Sequence, residues 1–94
     1  MATKDWSVEI EERGRAGYIY YKEKGNLIRF DYEIGGSVVA LIWPPDKQIW
    51  ETKYPWAIGR RPEIIERVKK EVLRQKAPNS IAEEDEQHNV IYIK

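Results

Sequence analysis

A nucleophile–histidine–acid relay needs a histidine, and this chain offers one, His88, with no cysteine to partner it. His88 follows Glu83-Glu84-Asp85-Glu86, the only compositionally biased stretch. Those carboxylates could attract a divalent cation. They lack the alternating ligand spacing and the turn glycine of a calcium loop, and consecutive side chains diverge. The run therefore reads as a solvated loop over 80–89, and His88 as an exposed or edge residue. The glycines occur as Arg-Gly-Arg, Lys-Gly-Asn, Gly-Gly and Ile-Gly-Arg, none in a phosphate-cradling or dinucleotide pattern, so they read as turn glycines. Among sixteen acidic residues no spacing selects a pair for general acid–base work. The expectation is a non-enzyme with no catalytic residues, no metal and no cofactor.

Two groups of side chains suit recognition instead. Tyr18 and Tyr20 are successive alternate positions on one predicted strand, and Arg29 and Ile42 should lie beside them on the same wet face. Tyrosine and arginine are the residue types that dominate interface centres. The second group is Trp56 with Arg60 and Arg61, next to Trp43-Pro44-Pro45, Trp50 and Tyr54. Aromatics with a double arginine could stack bases or sugars.

The elements that must position these residues follow from period-two alternation. Trp6, Val8 and Ile10 alternate with polar residues, as do Ile28, Phe30, Tyr32 and Ile34. With Gly14-Arg15 as a type II′ loop, Ile10 faces Ile19 and Val8 faces Tyr21. With Lys24-Gly25 as the next loop, Tyr21 faces Ile28 and Ile19 faces Phe30. Gly35-Gly36 reads as a third two-residue loop, both glycines at positive φ, which sets Tyr32 opposite Val39, Phe30 opposite Leu41 and Ile28 opposite Trp43. Val39, Leu41 and Trp43 then join the dry face, and Val38, Ala40 and Ile42 the wet one.

Pro44-Pro45-Asp46 ends the fourth strand. Residues 48–54 read as a short fifth strand, with Trp50, Thr52 and Tyr54 on one side. A helix is predicted over 62–76, with Ile64, Ile65, Val68 and Val72 on its apolar stripe and Pro62 in its first turn. No Ser, Thr, Asp or Asn stands at its expected cap, so its start must be held in another way. Val90-Ile91-Tyr92-Ile93 is apolar on both sides and should pair within or alongside the sheet.

The predicted fold is α+β: an antiparallel meander of four to five strands over 6–54, one helix packed on its apolar face, and a C-terminal strand over 89–94. Ninety-four residues suit a single domain, 1–94. Sixteen basic residues balance sixteen acidic ones, which argues against broad phosphate neutralisation and against steering to anionic membranes. The absence of cysteine and of an apolar leader or span fits a cytoplasmic protein. The functional expectation is a small module that binds another protein through Tyr18, Tyr20 and Arg29, with Trp56 as a further contact. Self-association would enlarge the core without being demanded. The alternative is a single-stranded nucleic-acid or carbohydrate binder using Trp56, Arg60 and Arg61. By fold-level analogy, a meander followed by one helix also recurs in inhibitors and toxin-neutralising proteins. An enzyme of unassigned class ranks last.

Overall fold

The computed structural model describes residues 5–94. Its strands are β1 (Trp6–Arg13), β2 (Ala16–Glu23), β3 (Asn26–Ile34), β4 (Ala40–Trp43), β5 (Ala82–Asp85) and β6 (Val90–Ile93). They form one antiparallel sheet in the order β1-β2-β3-β4-β6-β5. Helix α1 (Lys47–Lys53), a 3-10 turn (Pro55–Ala57) and helix α2 (Arg61–Lys76) connect β4 to β5. The α+β class, the meander and the C-terminal strand are as the sequence predicts.

The first two hairpins carry the expected registers. Ile10 pairs with Ile19 and Val8 with Tyr21, and Tyr21 in turn pairs with Ile28 and Ile19 with Phe30. Gly14 has φ +66°, as the first central residue of a type II′ loop must. Lys24 and Gly25 sit at +49° and +82°, the two left-handed residues of a type I′ turn, so a lysine occupies a position that favours Asn or Gly.

The third hairpin differs. Tyr32 pairs with Ile42 and Ile34 with Ala40, leaving residues 35–39 in the connection. That is a shift of three positions from the Gly35-Gly36 loop, and an odd shift exchanges the faces of a strand. Ala40 and Ile42 lie in the core, while Leu41 and Trp43 take the outward side and Val39 is exposed. The reason is that Ala40–Trp43 is apolar at every position, so its own pattern does not choose a face. Its other neighbour does: β6 pairs Ile93 with Ala40 and Ile91 with Ile42, and both isoleucines are fully buried. Neither Gly35 nor Gly36 is at positive φ. Gly35 is required for space instead, since a Cβ there would stand 2.7 Å from Val38 Cγ2.

Residues 48–54 are helical, not a fifth strand. The Asp46 carboxylate accepts from the Gln48 N–H at 2.7 Å and caps α1. Trp50 and Tyr54, four apart, turn inward together with ring centroids 5.2 Å apart. The Trp50 indole N–H donates to the Ala57 carbonyl at 2.9 Å, which ties α1 to the 3-10 turn behind it. Helical spacing thus explains the two aromatics that alternation had set on one side of a strand.

The 80–89 segment is not a loop throughout. Ala82–Asp85 forms β5 against β6, and Ile81 and Lys94 extend the ladder by exchanging backbone hydrogen bonds at 3.1 and 2.9 Å. Strand β6 therefore lies inside the sheet, which satisfies its two apolar sides. The edge falls to a short acidic strand, a composition that resists further pairing. At the opposite edge, the Gln75 amide from α2 donates to the Val8 carbonyl at 3.0 Å.

Helix α2 covers the inner face with Ile64, Ile65, Val68 and Val72, packed in one cluster with Ile19, Tyr21, Ile28 and Phe30. Its N-cap residue, Arg60, makes no side-chain capping bond. Among the described residues, no helix is long and apolar enough to cross a membrane.

Candidate functional site

Helices cover one face of the sheet, and the other is open. Parity through β2 and β3 places Tyr18, Tyr20 and Arg29 there, as expected. Tyr20 pairs directly with Arg29, and Tyr18 with Asp31. The two tyrosine rings are 6.2 Å apart and tilted, and the Arg29 guanidinium carbon lies 4.6 Å from the Tyr18 ring centroid. Both tyrosines are half-buried by their neighbours, and Arg29 is exposed. Ile42, expected beside them, is in the core. Trp43 takes its place: it pairs with Asp31, one strand further along the row that starts at Tyr18.

A groove of about 640 Å³ runs along this face. Its floor is the outward side of β3, where Leu27, Arg29 and Asp31 follow one another at alternate positions. Trp43, Pro44 and Pro45 bound one side, and Ile49 and Lys53 of α1 stand at the end. Leu27 and Ile49 are 48% and 46% exposed, so two large aliphatic side chains face solvent within one concavity. Of these residues, sequence reasoning missed Leu27, Ile49 and Lys53, and it set Trp43 on the dry face, next to the Trp56 group. Asp46, a capping residue directly after two prolines, was the available signal for α1 and hence for its outward face.

Trp56, Arg60 and Arg61 are not assembled into one site. The Arg60 guanidinium makes two bonds of 2.9 Å to the Glu23 carboxylate at the end of β2 and two of 3.2 Å to Glu63, and it lies 6.0 Å from the Trp56 ring. Glu23 also accepts from the Tyr21 hydroxyl and from Arg67 at 3.3 Å, and Arg67 donates to the Tyr21 oxygen at 2.7 Å. The Arg60 bonds, joined by that of Tyr21 and by the nearby Arg67 charge, outweigh burial and hold the Glu23 carboxyl down at about 2. Burial, and then the hydrogen bond to Glu23, push the Tyr21 hydroxyl up to about 12. This half-buried network fastens the start of α2 to the sheet.

Arg61 turns elsewhere. It donates to the Pro45 carbonyl at 3.3 and 3.1 Å and to Asn89 Oδ1 at 2.7 Å, while Asn89 donates to the Pro44 carbonyl at 2.8 Å. Burial lowers the Arg61 pKa, and its guanidinium carbon is 5.9 Å from the Trp50 ring. The two arginines thus serve different parts of the scaffold.

His88 lies in the β5–β6 turn. Its backbone N–H donates to Asp85 Oδ1 at 3.1 Å, and its Nδ1 is 2.8 Å from Asp85 Oδ2. Those two bonds hold the Asp85 carboxyl below its ordinary range. Among the described residues, no three His, Cys, Asp or Glu side chains converge as metal ligands would.

Comparison with family models, with curated proteins and with solved structures finds no match to this chain.

Proposed function

We propose that the chain is a protein-interaction module and that the open sheet face is its docking surface. An antiparallel sheet with one solvated face ordinarily alternates apolar-in with polar-out. Here Tyr18, Tyr20, Leu27, Leu41, Trp43 and Tyr92 gather around the charged row Arg29, Asp31 and Glu33 of β3, while the edge strands present Glu9, Glu11 and Glu83. Aromatic and aliphatic side chains interleaved with arginine are the residue types enriched at recognition surfaces. That arrangement is the single observation that carries the reading. Arg29 stacked on Tyr18 adds the residue pairing that concentrates binding energy at interfaces.

Affinity capture with the tagged chain tests it. A partner protein should be retained by the wild type and lost with Tyr20→Ala, while urea unfolding shows the variant folded. Equal capture by both forms rejects the reading. Self-association through the same face is separated by measuring the mass of the free chain in solution.

A further inference from the structure

We infer that the groove along β3 accepts a linear segment of the partner in which an aliphatic or aromatic side chain stands beside a carboxylate. This rests on the docking role proposed for the open face and specifies what that face recognises.

The apolar half of the match comes from Leu27 and Ile49, which approach the groove from the sheet and from α1 with nearly half of each side chain in water. An inserted apolar side chain would remove both from solvent at once.

The charged half comes from Arg29 and Lys53. Both line the groove, and neither is in an ion pair with any described carboxylate. Each lies over a ring: the Arg29 guanidinium carbon is 4.6 Å from the Tyr18 centroid, and the Lys53 ammonium 5.8 Å from that of Tyr54. Glu9 shares the cross-strand row of Tyr20 and Arg29, but Lys22 holds it at 2.8 Å. Of the two acids in the groove, Asp46 is bonded to the first turn of α1, and Asp31 lies at the Trp43 end. The groove is therefore polar along its length, cationic toward Leu27 and Ile49 and anionic toward Trp43. The segment's carboxylate belongs at the first end, and a donor or base at the second.

The occupant is recognised through the side chains that line the groove. Leu27 to Asp31 spans about 13 Å at ~3.3 Å per strand residue, room for four or five residues of an extended segment.

A random peptide library displayed on phage, selected against the immobilised full chain, tests this. Selected peptides are then synthesised and their affinities read by fluorescence polarisation. The expected sequences place Asp or Glu beside Leu, Ile or Phe. Arg29→Glu combined with Lys53→Glu should weaken them by roughly tenfold or more, and Ile49→Asp should do the same. Raising salt should also weaken binding, because both cations are exposed. Three outcomes overturn the inference: no enrichment, enriched peptides without acids, or affinities indifferent to the double variant. Peptides that lack acids yet are lost with Tyr20→Ala would sink this inference and leave the docking face standing. Failure of the capture experiment with Tyr20→Ala removes the face itself.

Discussion

Replacing Glu23 with glutamine should destabilise the protein by an amount that vanishes in acid. The folded Glu23 carboxyl is held at about 2, against an ordinary 4.5, chiefly by the Arg60 bonds. A difference of that size corresponds to at most about 3 kcal/mol of stability at neutral pH. Glu23 itself is 9% exposed, but the Arg60 and Arg67 side chains are each 28% exposed, so solvent screening brings the expected value to about 2–3 kcal/mol. The folded pKa is depressed, so the stabilisation is complete above 4.5 and is lost as the pH falls toward 2. Glutamine mimics the protonated carboxyl at every pH. Urea unfolding followed by tryptophan fluorescence, at intervals from neutral pH to about pH 2, gives the comparison directly. The Glu23→Gln variant should fall about 2–3 kcal/mol below wild type at pH 7, roughly 8–24 °C in melting temperature for a chain of this size, and the two should converge near pH 2. Exposed carboxylates outside this network, such as Glu66 with Lys69, titrate in both proteins and largely cancel. A gap that stays constant with pH would refute the assignment of Glu23 as the charged anchor of α2.

Gly17 lies on the inner face of β2 where β1 crosses closely, and a Cβ there would stand 1.9 Å from the Glu11 carbonyl oxygen. Gly17→Ala should cost at least ~2 kcal/mol in urea unfolding, because only backbone can yield. Lys24→Asn relieves a left-handed lysine at φ +49° and should raise stability by ~0.5–1 kcal/mol, with a higher melting temperature. Trp50→Phe removes the indole bond to Ala57 and part of a fully buried ring, so a loss of ~1–3 kcal/mol is expected, measured by chemical unfolding.

Where a loop residue was distinctive, the sequence was sufficient. Gly14 and Lys24-Gly25 set the registers of β1, β2 and β3, and those registers place Tyr18, Tyr20 and Arg29 outward without any knowledge of the rest. Ala40–Trp43 could not be oriented from its own letters, because each side of the strand is apolar. Its face was decided by Ile91 and Ile93, fifty residues away along the chain. Ala82–Asp85, an acidic stretch with weak strand propensity, becomes an edge strand by folding back on β6 across the short 86–89 turn. Helix α1 has only seven residues, too few for helical periodicity to outvote alternation, and its capping Asp46 was the one local sign. The unassigned face of β4 put Trp43 on the dry side, and the strand pattern over α1 left Ile49 and Lys53 out of the candidate surface. Arg60 and Arg61 show the converse: adjacent in sequence, they point to opposite supports, and only the placement of Glu23, Pro45 and Asn89 reveals it.

The most direct measurement is site-specific photo-crosslinking in cells, with a benzophenone amino acid at Lys22, the next outward position of β2 after Tyr20, and, as control, at Lys70 on the exposed side of α2. A docking surface at the open sheet face predicts a discrete protein adduct from position 22 that Arg29→Glu abolishes, and no such adduct from position 70. Identical adduct patterns from the two positions, or none from position 22, would contradict it.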